Sequence, residues 1–368
     1  MVTADEVKQR AREAGFDLCG IAPARAFAEL GHLAEWLARG YAGEMSYLSR
    51  SAETRADIRR FLPSARSVIV TGTLYNTDPP VRPGERPAPR GGADAVRVAR
   101  YARGDDYHVV IAERLESMVA WMRERTASAV EAATFVDKHH VQERAWAARA
   151  GLGWIGKNAC VINPEVGSWL LLGGIATSLA LQPDAPAIDQ CGTCTLCLDA
   201  CPTGALVEAR ELDATRCLSY LTIELDGDVP EPLRPALGTH LFGCDICQEV
   251  CPWNLAAPVT TDPAWQPRTP RDGAAAAELW QRADDELSGL VRGSAMRHTS
   301  LARLRRNLAM VIGNSGEPAL AAVLDRPGRG VRNAAHSADV PVVREAVAWA
   351  RRRLAGPAEA TDTTTAGE

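Results

Sequence analysis

Along the first 180 residues, apolar positions switch repeatedly between a helical period and runs with strand character, a pattern that predicts layers of helix and sheet. Residues 4–14 and 27–39 repeat apolar positions at helical spacing, and the short apolar run 17–22 lies between them. SVIVTGTL (67–74) is rich in β-branched residues and predicts a strand. Asp105 or Asp106 is placed to cap a long amphipathic helix that runs to about Arg125,. A strand ends over 134–137, and 141–150 reads as a helix. Two further apolar runs, 159–163 and 168–177, are joined by NPEVG, a hairpin-type signal,. Beyond residue 274 the period is helical to 354, with breaks at GNSGEP, DRPGRG and SADVP. Breaks that short predict stacked helical hairpins of the HEAT kind.

Proline then divides the chain. DPPVRPGERPAPRGG (78–92) is too rich in Pro and Gly for regular structure and predicts a surface loop that interrupts the first unit,. LQPDAPA (181–187) and a second Pro-rich stretch over 258–270 read as boundaries,. The expectation is an α+β or α/β multidomain protein with units at 1–185, 186–262 and 263–354, and a disordered tail over 355–368,.

A chain of 368 residues that is 46% apolar and 24% charged, with no run of eighteen apolar residues, is expected to be soluble and globular, without a membrane partner. MVTADEVKQR lacks the apolar segment of an export signal, so a cytoplasmic location is expected. The net charge of −5 hides an asymmetry: residues 290–354 carry twelve Arg against four acids, a local +8. Arg297, Arg303, Arg305 and Arg306 crowd together there, as either a solvated helix face or a surface for a phosphate backbone.

Eight of the ten cysteines fall between Cys191 and Cys251, and in a reducing compartment metal ligation outweighs disulfides. Cys191, Cys194, Cys197 and Cys201 followed by Pro202 spell C-x2-C-x2-C-x3-C-P, the spacing of a [4Fe–4S] ferredoxin whose fourth thiolate reaches a neighbouring cluster. A second motif, Cys244, Cys247 and Cys251 with Pro252, lacks only its first cysteine, and Cys217 completes it. Crosswise ligation assigns Cys191, Cys194, Cys197 and Cys251 to one cluster, and Cys201, Cys217, Cys244 and Cys247 to the other. Zinc is the competing reading, but a third Cys at the same spacing and two Cys-Pro pairs fit a tetrahedral ion poorly. Cys19 and Cys160 lie in apolar runs and read as core thiols,.

GLGWIG (151–156) matches G-x-G-x-x-G by count, but it follows a helix-like segment and no acid stands about twenty residues on, which argues against a dinucleotide site. A structural turn and a close approach to a large planar ligand both remain open. Asp137, at a strand end before His139 and His140, reads as a cap or as a general acid in a pocket. The two adjacent histidines point to different sides and make a poor metal pair.

Several blocks together resemble the epoxyqueuosine reductase family: GEMSYL with Arg50 and Arg55, ARYARGDDYH (99–108), ERAWAARAGLGWIGKN (143–158), GSW at Gly167, CGTCTLCLDACPTGAL, RCLSYLTIE (216–224), FGCDICQEVCPWN (242–254) and GSAMRHTSLARLRRNLAMVIGNSG (293–316). The resemblance spans nearly the whole chain. It implies an oxidoreductase that removes the epoxide oxygen of epoxyqueuosine at the wobble position of a tRNA anticodon, leaving queuosine. The implied cofactors are two [4Fe–4S] clusters in a ferredoxin-like domain and cobalamin in the N-terminal α/β domain, with HEAT-like helices gripping the tRNA.

By that resemblance Asp137 is the proton donor and Arg144 orients it or the substrate. Arg55, Arg100, Trp154, Lys157, Asn158, Val161, Leu172 and Ser219 line the cobalamin, and Arg297, Arg303, Arg305 and Arg306 meet tRNA phosphates. The family carries a small residue and a proline after the Asp, whereas this chain reads DKHHVQER. An external electron donor and a monomeric state are also expected. A reductive-dehalogenase-like cobalamin enzyme and a ferredoxin fused to an RNA-binding module are the alternatives. The first has no use for the basic helical end, and the second leaves Asp137 without a role.

Overall fold

The computed structural model describes residues 2–78, 91–126, 129–268, 272–328 and 337–356. Most of the proline-rich stretch over 78–92 and of the tail from 355 lies outside them. The first helix, α1 (Ala4–Glu13), starts at a reciprocal cap in which the Glu6 amide donates to Thr3 Oγ1 and the Thr3 amide donates to Glu6 Oε2, satisfying two amides that a helix start leaves unpaired. Strands β1 (Leu18–Pro23) and β2 (Ser67–Leu74) follow. Helix α2 (Tyr107–Arg125) is capped by the Asp106 carboxylate, which accepts from the His108 amide. Then come β3 (Ala132–Phe135), α3 (Glu143–Arg149) and β4 (Leu170–Thr177).

These strands form one sheet in the order β1-β2-β4-β3, with every neighbour antiparallel. The helix–strand alternation expected a layered fold, and the layers are present, but the sheet is antiparallel throughout. Strand β2 is buried along its whole length, and its alternate side chains enter two cores. Ile69 packs with Ile111, Leu115, Met118 and Met122 of α2, while Val68 and Val70 pack with Ala145, Trp146 and Ala147 of α3. Burial on both faces explains why SVIVTGTL reads as an unbroken apolar run. At Gly174 an added Cβ would lie 2.4 Å from both Ile69 O and the Phe135 ring, so glycine is required for β3 and β4 to close together.

The expected hairpin at NPEVG is only partly realised. Asn163 and Gly167 pair across the turn, yet the flanking segments part: Val161–Ile162 pairs with Trp154–Ile155, whereas β4 joins the main sheet.

A third core unites distant segments. Val96, Val98 and Ala102 pack with Leu218, Leu221, Leu241 and Phe242 and with Leu279, Leu287, Leu308, Val343 and Trp349. The boundary expected near 262 therefore runs through a continuous apolar interior. Helix α4 (Leu218–Ile223) and the helices α5 (Ala276–Gln281), α6 (Asp284–Val291), α7 (Leu301–Asn314) and α8 (Pro341–Leu354) enclose this core. Among them α7 is central, with every residue from Leu304 to Gly313 buried.

Candidate active site and cluster centres

The eight cysteines fall into two groups in space. Cys191, Cys194, Cys197 and Cys251 line one solvent-open hollow of about 350 Å³, together with Lys157, Asn158, Ile162, Pro252 and Trp253. Cys251 lies within electrostatic reach of the other three. Cys217 is paired in the same way with Cys201, Cys244 with Cys217, and Cys247 with both Cys244 and Cys217. Burial pushes the Cys251 thiol up to about 12 and the Cys197 thiol up to about 11, so these sulfurs ionise only against a bound cation.

Cys160, expected as a core thiol, donates to Asn158 O (3.7 Å) and lies within electrostatic reach of Cys247 at the edge of the second set. Its apolar flanks gave no sign of this, because the contact spans 87 residues of sequence.

Several residues expected at a corrin serve other partners. Lys157 Nζ donates to the carbonyls of Gly192 (2.8 Å) and Cys194 (2.9 Å). Asn158 Nδ2 donates to Cys247 O (3.4 Å), and Trp154 Nε1 donates to Cys191 Sγ (3.4 Å). The segment after the glycine turn thus clamps the cysteine loops, and the turn is structural: a Cβ on Gly153 would lie 2.2 Å from Ile162 O. Arg100 is 4% exposed. Its amide donates to Asp245 Oδ2 (2.8 Å), its guanidinium to Asn76 Oδ1 (2.7 Å), and it stacks over Trp169 at 4.1 Å. It anchors the loop after Cys244. Val161 is likewise buried in the α3 core. Leu172 is half-buried against the same core, and Ser219 lies at the start of α4 with its amide hydrogen-bonded to the Cys217 sulfur.

Asp137 has a different setting. It follows β3 with φ at 46°, a left-handed conformation that Asp tolerates better than most residues. Its amide donates to Glu143 Oε1 (2.5 Å), and its carboxylate Oδ2 accepts from Tyr107 Oη (2.8 Å) and lies 2.9 Å from His108 Nε2. The Asp137 side chain remains 58% exposed. Tyr47, Tyr101, Glu143 and Glu224 all feel its charge, and Arg55, held by Ser51 Oγ and Val141 O, lies on its other side. Burial alone raises the Asp137 carboxyl, but the hydrogen bonds from His108 and Tyr107 and the charges of His108 and Arg55 bring it below the ordinary range. Glu143 goes the other way: burial and the neighbouring Asp137 push it up to about 8. One acid of the pair is therefore charged at neutral pH and the other is not.

Arg144 donates to Ala159 O (2.5 Å), and its charge reaches Glu143 on one side and Cys160 on the other. It bridges the Asp137 pocket and the second cysteine set.

The arginine face is not what the charge count predicts. Arg305 and Arg306 are fully buried. Arg305 forms a salt bridge to Asp284 (2.9 Å) and donates to Arg282 O (2.6 Å) and to the carbonyl of Trp280. Arg306 donates to the carbonyls of Leu221 (2.6 Å), Leu225 (2.7 Å) and Gly227 (2.7 Å). With Arg303 on Ile223 O and Asn307 on Thr222 O, α7 caps the carbonyl end of α4, the helix that follows Cys217. Cations suit that end of a helix. Arg305 and Arg306 are thus structural and meet no phosphate, because α7 is the central helix of its core. Arg303 keeps 17% exposure beside Asp226, and Arg297 keeps 48% against Asp106.

Comparison with known proteins places this geometry. Residues 190–254 match the model of a 4Fe-4S double cluster binding domain, and residues 55–138 match the model described as epoxyqueuosine reductase QueG, DUF1730. The epoxyqueuosine reductase of Gloeobacter violaceus is 43% identical over 324 residues, 86% of this chain and 97% of that one. The crystal structure of an epoxyqueuosine reductase with an epoxyqueuosine-modified tRNA-Tyr stem loop superposes at a TM-score of 0.82, with 29% identity over 95% of this chain and 89% of that one. A Bacillus subtilis epoxyqueuosine reductase with its Asp catalytic loop swung out of the active site superposes at 0.81, with 28% identity over 95% and 90% of the two chains.

Proposed function

The chain belongs to the epoxyqueuosine reductase family, and on that premise we propose that it reduces epoxyqueuosine in tRNA anticodons to queuosine. The reaction takes two electrons and two protons, breaks both carbon–oxygen bonds of the epoxide and releases water. The observation that carries this reading is the Asp137 pocket: an accessible carboxylate, hydrogen-bonded by Tyr107 and His108, with Arg144 linking it to the second cysteine set.

Two [4Fe–4S] clusters are assigned to the two cysteine sets. Bound there, they would supply single-electron transfer. Cobalamin, when bound, supplies a cobalt centre that takes those electrons and opens a carbon–oxygen bond. The setting of Asp137 suits such a group: its carboxylate is accessible, and the charge of Arg144 reaches both Glu143 and Cys160. Arg55, Leu172 and Ser219 are assigned to holding it. Asp137 delivers a proton to the oxygen of the opened epoxide, and Arg144 orients the substrate or the acid. Residues 136–142 are the counterpart of the catalytic loop that swings out in the Bacillus subtilis relative.

Residues 1–185 are assigned as the cobalamin-binding catalytic unit, 186–262 as the ferredoxin-like unit and 263–354 as a HEAT-like helical unit that holds tRNA, with Arg297 and Arg303 as the phosphate contacts that the burial of Arg305 and Arg306 leaves. The protein is assigned as a monomer that draws on an external electron donor. No helix among the described residues is long and apolar enough to cross a membrane, in keeping with work on tRNA in the cytoplasm. The test is nucleoside analysis of tRNA from a deletion strain complemented with wild-type protein or with Asp137→Ala. Epoxyqueuosine accumulates in the deletion and in the variant, and queuosine returns only with wild type. Normal queuosine in the deletion strain overturns the assignment.

A further inference from the structure

His108 joins two carboxylates. Its Nδ1 lies 2.7 Å from Asp106 Oδ1, and its Nε2 lies 2.9 Å from Asp137 Oδ2. The ring has little freedom: its side chain is 9% exposed, it stacks on Tyr107 with centroids 4.0 Å apart, and the edge of His298 meets it at 4.7 Å. Asp106 is 3% exposed and fixed as the cap of α2. Its other oxygen takes Arg297 Nε at 2.8 Å and lies 3.3 Å from His298 Nε2.

A neutral imidazole carries one N–H, and an ionised carboxylate only accepts. Asp106, paired with a guanidinium and hydrogen-bonded by His108, is held ionised, so it takes the Nδ1 proton. Nε2 and Asp137 Oδ2 would then face each other with lone pairs alone, at a distance that permits only a hydrogen bond. The contact requires one more proton, carried by Nε2 or by Asp137.

We propose that His108 is the positioning residue that stores this proton and passes it to Asp137 for transfer to the substrate, with Asp106 fixing the ring. This rests on the reading of Asp137 as proton donor. The Nε2 proton moves to Asp137, and Asp137 hands it on to the oxygen of the opened epoxide. The emptied contact, two lone-pair atoms face to face, draws the next proton from solvent through the exposed side of Asp137. The two protons of each turnover thus pass singly through one pair, matching electrons that arrive singly.

The charges around the pair fit this direction. The Asp137 carboxyl is held below its ordinary range, in part by the hydrogen bond from Tyr107 and the charge of Arg55, so it is the acceptor of the pair. His298 is held below its usual range by burial and by the charges of His108 and Lys138, against Asp106, so it does not compete for the proton. Arg55 and Glu143 flank Asp137 on its far side, and Arg297 faces Asp106.

The experiment has two arms on the cluster-loaded holoenzyme. In the first, ¹⁵N spectra of histidine-labelled wild type at pH 7 show His108 with both ring nitrogens protonated, and Asp137→Asn removes the second proton. A singly protonated His108 in wild type overturns the proposal. In the second, His108→Gln is assayed on an epoxyqueuosine-bearing anticodon stem loop with a low-potential chemical reductant. Its kcat falls about a hundredfold, KM stays within about twofold, and the pH profile of kcat loses the ionisation of the pair. A variant with the wild-type kcat and profile overturns the relay. Wild-type protein inert toward the stem loop would instead overturn the proposed function, and the nitrogen spectrum would still decide the proton pair.

Discussion

Replacing Arg306 with Met is the sharpest test of whether α7 is a structural helix or an RNA-binding face. The substitution leaves the carbonyls of Leu221, Leu225 and Gly227 without the guanidinium that now satisfies them at 2.6–2.7 Å. A buried acceptor left unsatisfied costs about 1–3 kcal/mol, so three cost about 6 kcal/mol. Against this, the substitution removes a fully buried cation with no carboxylate in salt-bridge contact among the described residues. Burial lowers Arg306 from its ordinary 12.5 to about 10, and relief of that penalty returns about 3 kcal/mol. The net expectation is a loss of about 3 kcal/mol, or a fall of about 4 °C in Tm for a protein of this size. Thermal unfolding followed by circular dichroism reads the shift. Below the transition, the slope of log K against log salt for tRNA binding stays at the wild-type value. An unchanged Tm together with a slope reduced by about 1 would refute the reasoning, since it would mean that Arg306 reaches a phosphate.

Arg297 is the converse case. Arg297→Ala weakens tRNA binding in filter-binding or fluorescence titrations and lowers the salt slope by about 1, because its side chain is half exposed,. Cys251→Ser impairs the first cluster although Cys251 belongs to the second sequence motif. Iron analysis of anaerobically purified protein falls from about eight atoms toward about four, and Mössbauer spectra show the surviving cluster intact. Glu143, raised to about 8 in the folded protein, binds a proton that the unfolded chain gives up above its ordinary 4.5. Its contribution to stability is full below about pH 4.5 and is lost as pH rises through about 8. Glu143→Gln keeps an acceptor for the Asp137 amide and flattens that dependence in denaturant titrations at pH 5, 7 and 9.

What could be read from the sequence follows from how local each signal is. Capping and periodicity act within a few residues, so the first helix, the Asp106 cap and the buried strand Ser67–Leu74 stand where the pattern puts them. Cysteine spacing encodes ligation by short loops, and even the crosswise exchange of Cys201 and Cys251 is legible, because a proline turn redirects the last thiol of each motif. Contacts between segments far apart in sequence are not legible in this way. The sheet's antiparallel order depends on β4 returning between β2 and β3. Arg305 and Arg306 look solvent-bound until α7 is seen to run through the middle of a core built from three parts of the chain. The same limit hid the bond from Trp154 to Cys191 and the contact of Cys160 with Cys247.

The Asp137 loop combines a cost with several compensations, and their balance bears on how the acid works. A left-handed backbone at a non-glycine residue costs about 1–2 kcal/mol, less for Asp than for most. Tyr107, His108 and Glu143 each offset part of it with a hydrogen bond of about 1 kcal/mol, more where a charge takes part. These partners stand on two helices, α2 and α3, and one of them, His108, is itself set by Asp106 and hence by the turn that carries Arg297 and His298. The bonds exceed the strain by a few kcal/mol, which holds the loop in place without locking it. An acid so held can leave its seat for a bulky nucleoside and return to it. Its seat also reports on a turn nearly 200 residues away in sequence, in the helical part assigned to tRNA. The acid is therefore best positioned when that turn is, which ties proton delivery to the same folded surface that the RNA must meet.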